Sequence, residues 1–372
     1  MAKKKSNDNK TLNAYRNQMR DVTKSVLDLA SARQNIAQLI ARIKQTSGAD
    51  IENQSVEENL IAEMVEYAKS ISLDEGLARR LVSELIEHSK IAQRRRIYLN
   101  SIKNHLRSNG IKTVSIIGAG RMGGWFASYF KELGLNVVFF DSNRKLSREK
   151  AARLGCTYTT SFDEVAQSDM AVVAVPIKIV AAEIRKLGEH RKARPKLALL
   201  EISSVKNEME RAVIRKKLPA NVALFSIHPL FGASANPFAL NSLVQVGKPS
   251  GLVKGIFPHY KIFFMNSKDH DQLMSTILTM PHAHALTFAD SVARMRKRIP
   301  RGIGSSSYNH LLDLAKRSLK ESGDVYYEIE ASNPYAEGAL IEMIDSVRRL
   351  RNVLKDKSAF QKFFRETGKA LE

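Results

Sequence analysis

A glycine-rich loop is the first segment whose residue types and spacing could do chemistry. It follows a β-rich run at residues 112–117 and opens a predicted helix. In such loops the first glycine permits a tight turn, the second lets the backbone approach a pyrophosphate, and the third lets helix and strand pack closely. The helix N-terminus then faces the phosphates. We predict a dinucleotide site whose cofactor-binding residues are Gly118, Gly120, Arg121, Met122, Gly123 and, after the next strand, Asp141.

Asp141 decides which cofactor is predicted. It ends the next β-rich run, roughly 20 residues after the loop, where a carboxylate accepts both hydroxyls of an adenosine ribose and repels a 2′-phosphate. This favours NAD. Arg144 leaves NADP as the disfavoured alternative, because a guanidinium can bind a 2′-phosphate.

Polar groups also follow two later β-rich runs. Ser204 lies in the segment Ser-Ser-Val-Lys that ends one run, and His228 begins the segment His-Pro-Leu-Phe-Gly that ends the next. Ligands bind at the carboxyl ends of strands in open α/β sheets, and imidazole titrates near neutrality. His228 is therefore predicted to be a general base for an alcohol proton, with a purely structural histidine as the alternative.

The first hundred residues carry a second set of polar groups on an apolar pattern. Arg33 interrupts the apolar stripe of the first predicted helix, and Lys44 lies about three turns further along the same face. Ser89 and Gln93 occupy successive turns of a stripe on the third predicted helix. Two cations on one helix face could bind a small dianion, so these polar groups are predicted to form a binding site. The alternative is that they form a buried hydrogen-bond network between the helices. The interrupted stripe consists of Val22, Val26, Leu29, Ile36, Ile40 and Ile43.

The elements that position this second set are long helices. No proline and only two glycines precede Gly110, which predicts a three-helix domain over residues 1–105. Serines with a glutamate three residues later predict capping boxes at Ser55 and Ser72. The first helix, at ~60 Å, is far longer than a domain of this size can cover. We therefore expect it to pack against a second chain.

The rest of the chain divides into two further regions. Over residues 110–267 β-rich runs alternate with helical segments, which predicts a Rossmann-type parallel sheet. Over residues 268–372 helical patterns continue to the end and predict an all-helical domain. The predicted fold class is multidomain α and α/β.

Composition narrows the class of protein. A single cysteine among 372 residues excludes an intramolecular disulfide framework and a multi-thiolate metal site, and we predict no metal. There is no apolar run long enough for a membrane span and no secretory signal, so we expect a cytoplasmic protein without a membrane partner. The net charge of +21 favours an anionic binding partner, which could be nucleic acid, anionic lipid or a small anionic substrate. The charge alone does not distinguish these three classes of partner.

The second half resembles the prephenate dehydrogenases. Its glycine loop, Asp141, the Ser-Val-Lys segment and the His-Pro-Leu-Phe-Gly segment all have counterparts in that family. Met-Pro-His, ending at His282, answers a Leu-Pro-His segment of the family, and Arg317 stands nine residues before a Tyr-Tyr-Glu-Ile segment, at the position of the family's substrate-binding arginine. Ala233 and Thr279 depart from the family pattern, which bears on substrate specificity.

This resemblance implies oxidative decarboxylation of prephenate to 4-hydroxyphenylpyruvate. His228 would accept the C4 hydroxyl proton as hydride leaves C4, and Ser204 would orient that site. Arg317 would hold the ring carboxylate, and His282 would bind substrate. The C-terminal helices would serve in dimerisation.

The first hundred residues resemble the all-helical chorismate mutases, whose site lies in an intertwined dimer. The resemblance implies that Arg16 and Arg33 bind two carboxylates. It implies that Lys44 and Gln93 donate hydrogen bonds to the ether oxygen, and that Glu57 contacts the ring hydroxyl. Asn53 and Val56 depart from the family's Asp and Arg. The matching positions are Arg16, Arg33, Lys44, Glu57, Ser89 and Gln93.

The order of the two regions resembles the bifunctional chorismate mutase/prephenate dehydrogenases of tyrosine biosynthesis. The resemblance implies chorismate and prephenate as substrates and a homodimer without a nucleic-acid partner. One alternative is a monofunctional prephenate or arogenate dehydrogenase with a degenerate helical domain. Another is a basic, nucleotide-sensing regulator, although no nucleic-acid recognition motif supports it.

Overall fold

The structure is a computed structural model that describes residues 2–190, 196–207, 209–210, 218, 222–298, 300, 302–320 and 322–371. These residues form two compact units. The helical unit comprises the residues up to Gly110 together with residues 234–242 and 251–261. The sheet unit comprises the other described residues, including the C-terminal helices. The three-domain division at residues 105–110 and 267–268 stays a prediction.

The secondary-structure elements are named in chain order. The helices are α1 (Ala2–Ser47), α2 (Gln54–Ser70), α3 (Glu75–Ser108), α4 (Arg121–Glu132), α5 (Arg144–Leu154), α6 (Phe162–Ala166), α7 (Ile177–Gly188), α8 (Gly251–Ile256), α9 (Ser267–Met274), α10 (Met280–Met295), α11 (Ser306–Ser318), α12 (Gly323–Ser332), α13 (Ala336–Val353) and α14 (Lys357–Leu371). The strands are β1 (Thr113–Ile117), β2 (Asn136–Phe140), β3 (Thr157–Tyr158), β4 (Met170–Val173), β5 (Leu197–Glu201), β6 (Val222–Pro229), β7 (Ser242–Val246) and β8 (Lys261–Met265). In the part of the chain so described, no helix is both long and apolar enough to cross a membrane.

The N-terminal helices α1 to α3 confirm the predicted helical domain, but their caps differ from the prediction. Asn53 caps α2 by accepting the backbone N–H of Val56, and Asp74 caps α3 by accepting that of Leu77. The capping boxes predicted at Ser55 and Ser72 are therefore wrong. Ser55 is already helical, and Ser72 has a φ of +57°, which places it in the turn before α3. A capping residue needs extended backbone just outside the helix.

The apolar stripe of α1 is exposed in the single chain. Val22, Leu29 and Ile43 have exposed fractions of 64%, 71% and 67%. Burying such side chains is worth roughly 1.5–3 kcal/mol each. The pattern agrees with our expectation that α1 packs against a second chain.

The C-terminal half of α3 is covered by residues from much later in the sequence. The ring of His259 stacks between Tyr98 of α3 and Phe238, with centroid separations of 5.1 and 5.6 Å. Burial lowers the pKa of His259 to about 4, so its ring is neutral. His105 packs so closely on Gly255 of α8 that a Cβ there would lie 2.1 Å from the imidazole Nε2. These contacts explain why residues 234–242 and 251–261 belong to the helical unit.

The sheet unit is built on the predicted parallel sheet, which the structure confirms. The strand order is β3-β2-β1-β4-β5-β6-β7-β8, and the pairs from β3 to β6 are parallel. Antiparallel β7 and the neighbouring β8 extend this sheet beyond the prediction. The order reverses between β1 and β4, and ligands bind at such a switch point, beyond the carboxyl ends of the strands.

A π turn joins α9 to α10. It spans Ser275–Thr279, and the N–H of Met280 donates to the carbonyl of Ser275, five residues earlier. The next residue is Pro281, which has no N–H and whose ring clashes with the carbonyl four residues back, so ordinary helical hydrogen bonding is interrupted there.

Candidate functional site

The glycine loop has the backbone geometry that a dinucleotide requires. Gly118 follows β1 with a φ of +104°, and a Cβ there would lie 2.2 Å from the carbonyl oxygen of Ala174. A Cβ on Gly123 would lie 2.0 Å from the carbonyl oxygen of Gly118, so this glycine lets α4 approach the loop. A Cβ on Gly120 would meet nothing within 4 Å, which leaves open space beside the N-terminus of α4. Arg121 is exposed and Met122 half-buried in the first turn of α4.

The close approach at Gly123 gives the first testable prediction. Gly123→Ala forces a methyl group against loop backbone, and overpacking of this kind costs about 1–3 kcal/mol. We expect a lower Tm in thermal unfolding and weaker dinucleotide binding. Gly120→Ala is the matched control, since its methyl group meets open space, and its Tm should equal that of the unmodified protein. Equal Tm values for both variants would contradict the prediction.

Asp141 lies beside this loop, at the carboxyl end of β2. One oxygen of its half-buried carboxylate accepts the N–H of Ala119 at 2.7 Å, and the other accepts that of Asn143 at 2.8 Å. Arg144 is exposed at the start of α5. The structure thus places the predicted ribose-binding carboxylate against the glycine loop.

His228 is buried at the carboxyl end of β6, within a chain of polar groups. Its Nδ1 lies 3.0 Å from Nε2 of His270, and Nδ1 of His270 lies 2.7 Å from a carboxylate oxygen of Asp271. Burial lowers the pKa of His228 well below its usual value, and the nearby His270 and Lys206 lower it further. Burial also lowers the pKa of His270. A neutral imidazole is the form able to accept a proton.

A buried ion pair supports the same region. The ammonium of Lys206 donates to Glu201 at 2.7 Å and to the carbonyl of Ile227 at 2.8 Å, and the hydroxyl of Ser226 also donates to Glu201. Burial lowers the pKa of Lys206 despite its partner. The pair ties β5 to β6 directly next to His228. Sequence analysis did not single out Lys206 or Glu201 for any role.

Among the described residues, no hydrogen bond joins His228 to the other dehydrogenase residues predicted from the sequence. Ser204 is half-buried in the loop after β5, and no hydrogen bond joins it to His228 among the described residues. Nδ1 of His282 lies 2.9 Å from a carboxylate oxygen of Glu330, and the ring packs on Tyr326 with centroids 4.3 Å apart. Arg317 is exposed on α11, where its Nε donates to a carbonyl of its own helix. Their roles toward substrate stay predictions.

The helical unit brings three of the predicted mutase residues together. The guanidinium of Arg33 on α1 contacts both the hydroxyl of Ser89 and the carbonyl of Leu85 on α3. Gln93, one turn beyond Ser89, is buried, and its side-chain oxygen has no hydrogen-bond partner among the described atoms. Buried polar atoms are normally paired, so the unpaired side-chain oxygen of Gln93 makes this residue a candidate for contact with a ligand.

The remaining mutase residues have other partners in the single chain. The ammonium of Lys44 donates to the carbonyl of Ile51 at 2.8 Å, and Glu57 forms an ion pair with Lys90 at 3.0 Å. Arg16 is exposed, ~25 Å from Arg33 along α1.

The structure also shows where the two residues that depart from the chorismate mutase pattern lie. Asn53 is the N-cap of α2, and Val56 is exposed in its first turn. Arg94, next to Gln93, is buried in ion pairs with Glu52 and Glu87, and no sequence pattern pointed to it.

Comparison with known proteins finds a match in each of the two regions. Residues 15–94 match the family model of chorismate mutase type II, and residues 126–243 match that of the nucleotide-binding domain of prephenate dehydrogenase. The chain is 24% identical over 69% of its length to a protein of Methanocaldococcus jannaschii described as a probable arogenate/prephenate dehydrogenase. It is 22% identical over 86% of its length to the T-protein of Haemophilus influenzae. These matches span 60% and 80% of the two relatives.

A solved structure agrees on the fold. Prephenate dehydrogenase from A. aeolicus, in complex with hydroxyphenyl propionate and NAD+, aligns with a TM-score of 0.58 at 18% identity. The alignment covers 69% of this chain and 96% of that one. In one chain, residues 15–94 thus match the chorismate mutase type II model and residues 126–243 match the model of the nucleotide-binding domain of prephenate dehydrogenase.

Proposed function

We propose that this protein is a bifunctional enzyme of tyrosine biosynthesis. It rearranges chorismate to prephenate and oxidatively decarboxylates prephenate to 4-hydroxyphenylpyruvate with NAD. The observation that carries the proposal is that one chain holds both an Arg33–Ser89–Gln93 cluster in a mutase-type helical unit and a buried His228 at the carboxyl edge of a dinucleotide-binding sheet. The product of the first reaction is the substrate of the second.

The mutase reaction needs clamps rather than an acid or a base. Arg16 and Arg33 would each bind a substrate carboxylate through charge-assisted hydrogen bonds. Lys44 and Gln93 would donate to the ether oxygen as negative charge develops on it, and such preorganised donors stabilise the transition state. Glu57 would contact the ring hydroxyl, and Ser89 would position Arg33. Lys44 and Glu57 would exchange their present partners for substrate.

The exposed stripe of α1 supports a homodimer. Arg16 and Arg33 of one helix are ~25 Å apart, too far for both to bind one small ligand. Arg16 of each site would therefore come from the partner chain, as a two-fold interface allows. We infer no nucleic-acid or membrane partner, and the single cysteine suits the reducing cytoplasm.

The dehydrogenase reaction needs a base and a place for the cofactor. The residues present fit NAD, because Gly118 and Gly123 keep the loop close to α4 while Gly120 leaves space beside the helix N-terminus. Asp141 would bind the adenosine ribose. When bound, NAD supplies the hydride acceptor. His228 would take the C4 hydroxyl proton as hydride leaves C4 and the ring carboxylate departs as CO2.

Several residues would then hold the substrate in place. Arg317 would bind the ring carboxylate until it departs, while Ser204 and His282 would orient the ring. Aromatisation drives the reaction, so the protein chiefly positions and deprotonates the substrate.

Supplying the purified protein with chorismate and NAD tests the proposal. We expect chorismate to disappear, 4-hydroxyphenylpyruvate to accumulate and reduced cofactor to form. Without NAD, the two-step reaction should stop at prephenate. Parallel assays with prephenate and arogenate identify the dehydrogenase substrate. Unchanged chorismate would show that the helical unit has no mutase activity, and an absence of reduced cofactor with every substrate would contradict the dehydrogenase assignment.

Cofactor choice is a separate prediction that depends on Asp141. The unmodified protein should use NAD with a higher kcat/KM than NADP, because the carboxylate repels a 2′-phosphate. Asp141→Ser should weaken that preference, since it removes the repulsion and leaves the exposed Arg144 able to meet the phosphate. The ratio of kcat/KM for the two cofactors is the measurement. Equal efficiency with both in the unmodified protein would contradict the role of Asp141.

A further inference from the structure

The chain of hydrogen bonds behind His228 fixes where its proton lies. Both carboxylate oxygens of Asp271 accept backbone N–H bonds at 2.8 Å, from Lys206 and from Asn207. The carboxylate acts as an acceptor, so the contact with Nδ1 of His270 requires that nitrogen to carry the hydrogen.

One proton position then dictates the next. A neutral imidazole has one N–H, so Nε2 of His270 carries no hydrogen and accepts through its lone pair once Nδ1 is protonated. Nδ1 of His228, 3.0 Å away, must therefore donate to it. This leaves Nε2 of His228 without a hydrogen, which is the state that a general base requires.

The surroundings keep both rings neutral and fixed. His270 and Asp271 are fully buried, and the amide of Asn333 donates to the backbone carbonyl of Asp271 at 2.8 Å, which ties α9 to the segment after α12. The cation of Lys206 opposes protonation of both histidines. Its partner Glu201 balances that charge across the same buried region.

We propose that His270 is a positioning residue that holds His228 with its Nε2 lone pair directed to substrate, and that Asp271 sets the tautomer of His270. This inference rests on the proposed dehydrogenase function. As the hydroxyl proton transfers to Nε2 of His228, the resulting imidazolium still donates from Nδ1 to His270. The proton therefore stays on His228, and no ring has to rotate.

Two variants of His270 test the proposal by kinetics. His270→Leu removes the acceptor, and we expect kcat for prephenate oxidation to fall about 10²-fold, at the lower end of a general base's contribution, with KM nearly unchanged. His270→Gln places an amide oxygen near the position of Nε2 and should recover most of that loss. A purely structural role predicts no such rescue, and equal kcat for both variants and the unmodified protein would overturn the proposal.

A measurement on the unmodified protein covers the case in which His270→Leu does not fold. In protein labelled with ¹⁵N-histidine, the resonances that disappear in His228→Asn identify His228. We expect its Nδ1 to be protonated and its Nε2 bare at neutral pH. A proton on Nε2 would overturn the proposal. If the tautomer is as expected but His228→Asn oxidises prephenate at the full rate, the proposed base fails while the hydrogen-bonded chain stands.

Discussion

Replacing His228 with Asn is expected to lower dehydrogenase turnover by about 10²–10⁴-fold, the usual contribution of a general base. The amide nitrogen of Asn can take the place of Nδ1 and keep the hydrogen bond to His270, while nothing replaces Nε2. The variant thus removes the base and preserves its support. Mutase activity of the same sample should stay unchanged, which serves as the control for folding.

The pH profile of the unmodified enzyme follows from the same residue. The neutral imidazole is the active form, so activity falls as the pH drops through the pKa of His228. Burial and the neighbouring His270 and Lys206 lower that pKa well below 6.5. The profile of kcat/KM should therefore be flat through neutrality and fall only in more acidic solution. An acid limb near or above neutrality would contradict the assignment.

Arg317→Ala provides the contrasting variant. Loss of the guanidinium that holds the ring carboxylate should raise KM strongly, whereas His228→Asn should chiefly lower kcat. If His228→Asn keeps both the unmodified rate and the same acid limb, the base lies elsewhere, and His282 with its Glu330 partner becomes the next candidate.

Arg33→Ala is expected to lower chorismate mutase turnover by about 10²–10³-fold, as removal of one preorganised donor does elsewhere. Arg33 is the only predicted carboxylate clamp that already contacts another site residue, Ser89, among the described residues. Its loss removes charge that the substrate dianion requires. Dehydrogenase activity measured with prephenate should stay unchanged in this variant.

Subunit exchange then tests whether two chains build each site. Arg16→Ala and Arg33→Ala homodimers should each lack mutase activity. A heterodimer of the two places unmodified Arg16 of one chain beside unmodified Arg33 of the other, so one of its sites is intact. Mixing the two variants under conditions that exchange subunits should restore activity. Confirmed exchange without recovered activity would show that each site lies within one chain.

Features that depend on local pattern could be predicted from the sequence. The absence of proline and the scarcity of glycine before Gly110 predict α1 to α3, and the alternation of β-rich and helical segments predicts the parallel sheet. The caps could not be predicted in the same way. Ser55 and Ser72 have side chains that can cap a helix, and each is followed by a glutamate three residues later. Asn53 and Asp74 also have capping side chains but lack that glutamate. Only the geometry of the turn selects between the two sets.

Features that depend on contacts between residues far apart in the chain could not be predicted from the sequence. His228 and Ser204 stand out because they follow predicted strands, whereas His270 lies 42 residues from His228 and nothing in the sequence indicates that the two rings are in contact. Its importance follows from where α9 lies, which packing determines. Lys206 belongs to the Ser-Ser-Val-Lys segment, but nothing in the sequence pairs it with Glu201, and the ion pair follows from the burial of the two side chains against each other.

The late segments that cover α3 bear on how this protein could have evolved. His259 stacks between Tyr98 and Phe238, and α8 packs on His105, although the segments that cover α3 are all encoded beyond His228. A gene split at the codon for Gly110 would produce two polypeptides. The first would contain α1 to α3 without the rings of Phe238 and His259, and the second would contain the sheet with residues 234–242 and 251–261 no longer packed on α3. Both products would expose apolar surface that the intact chain buries. Fission of the gene at this codon would therefore need compensating changes in the segments that become exposed.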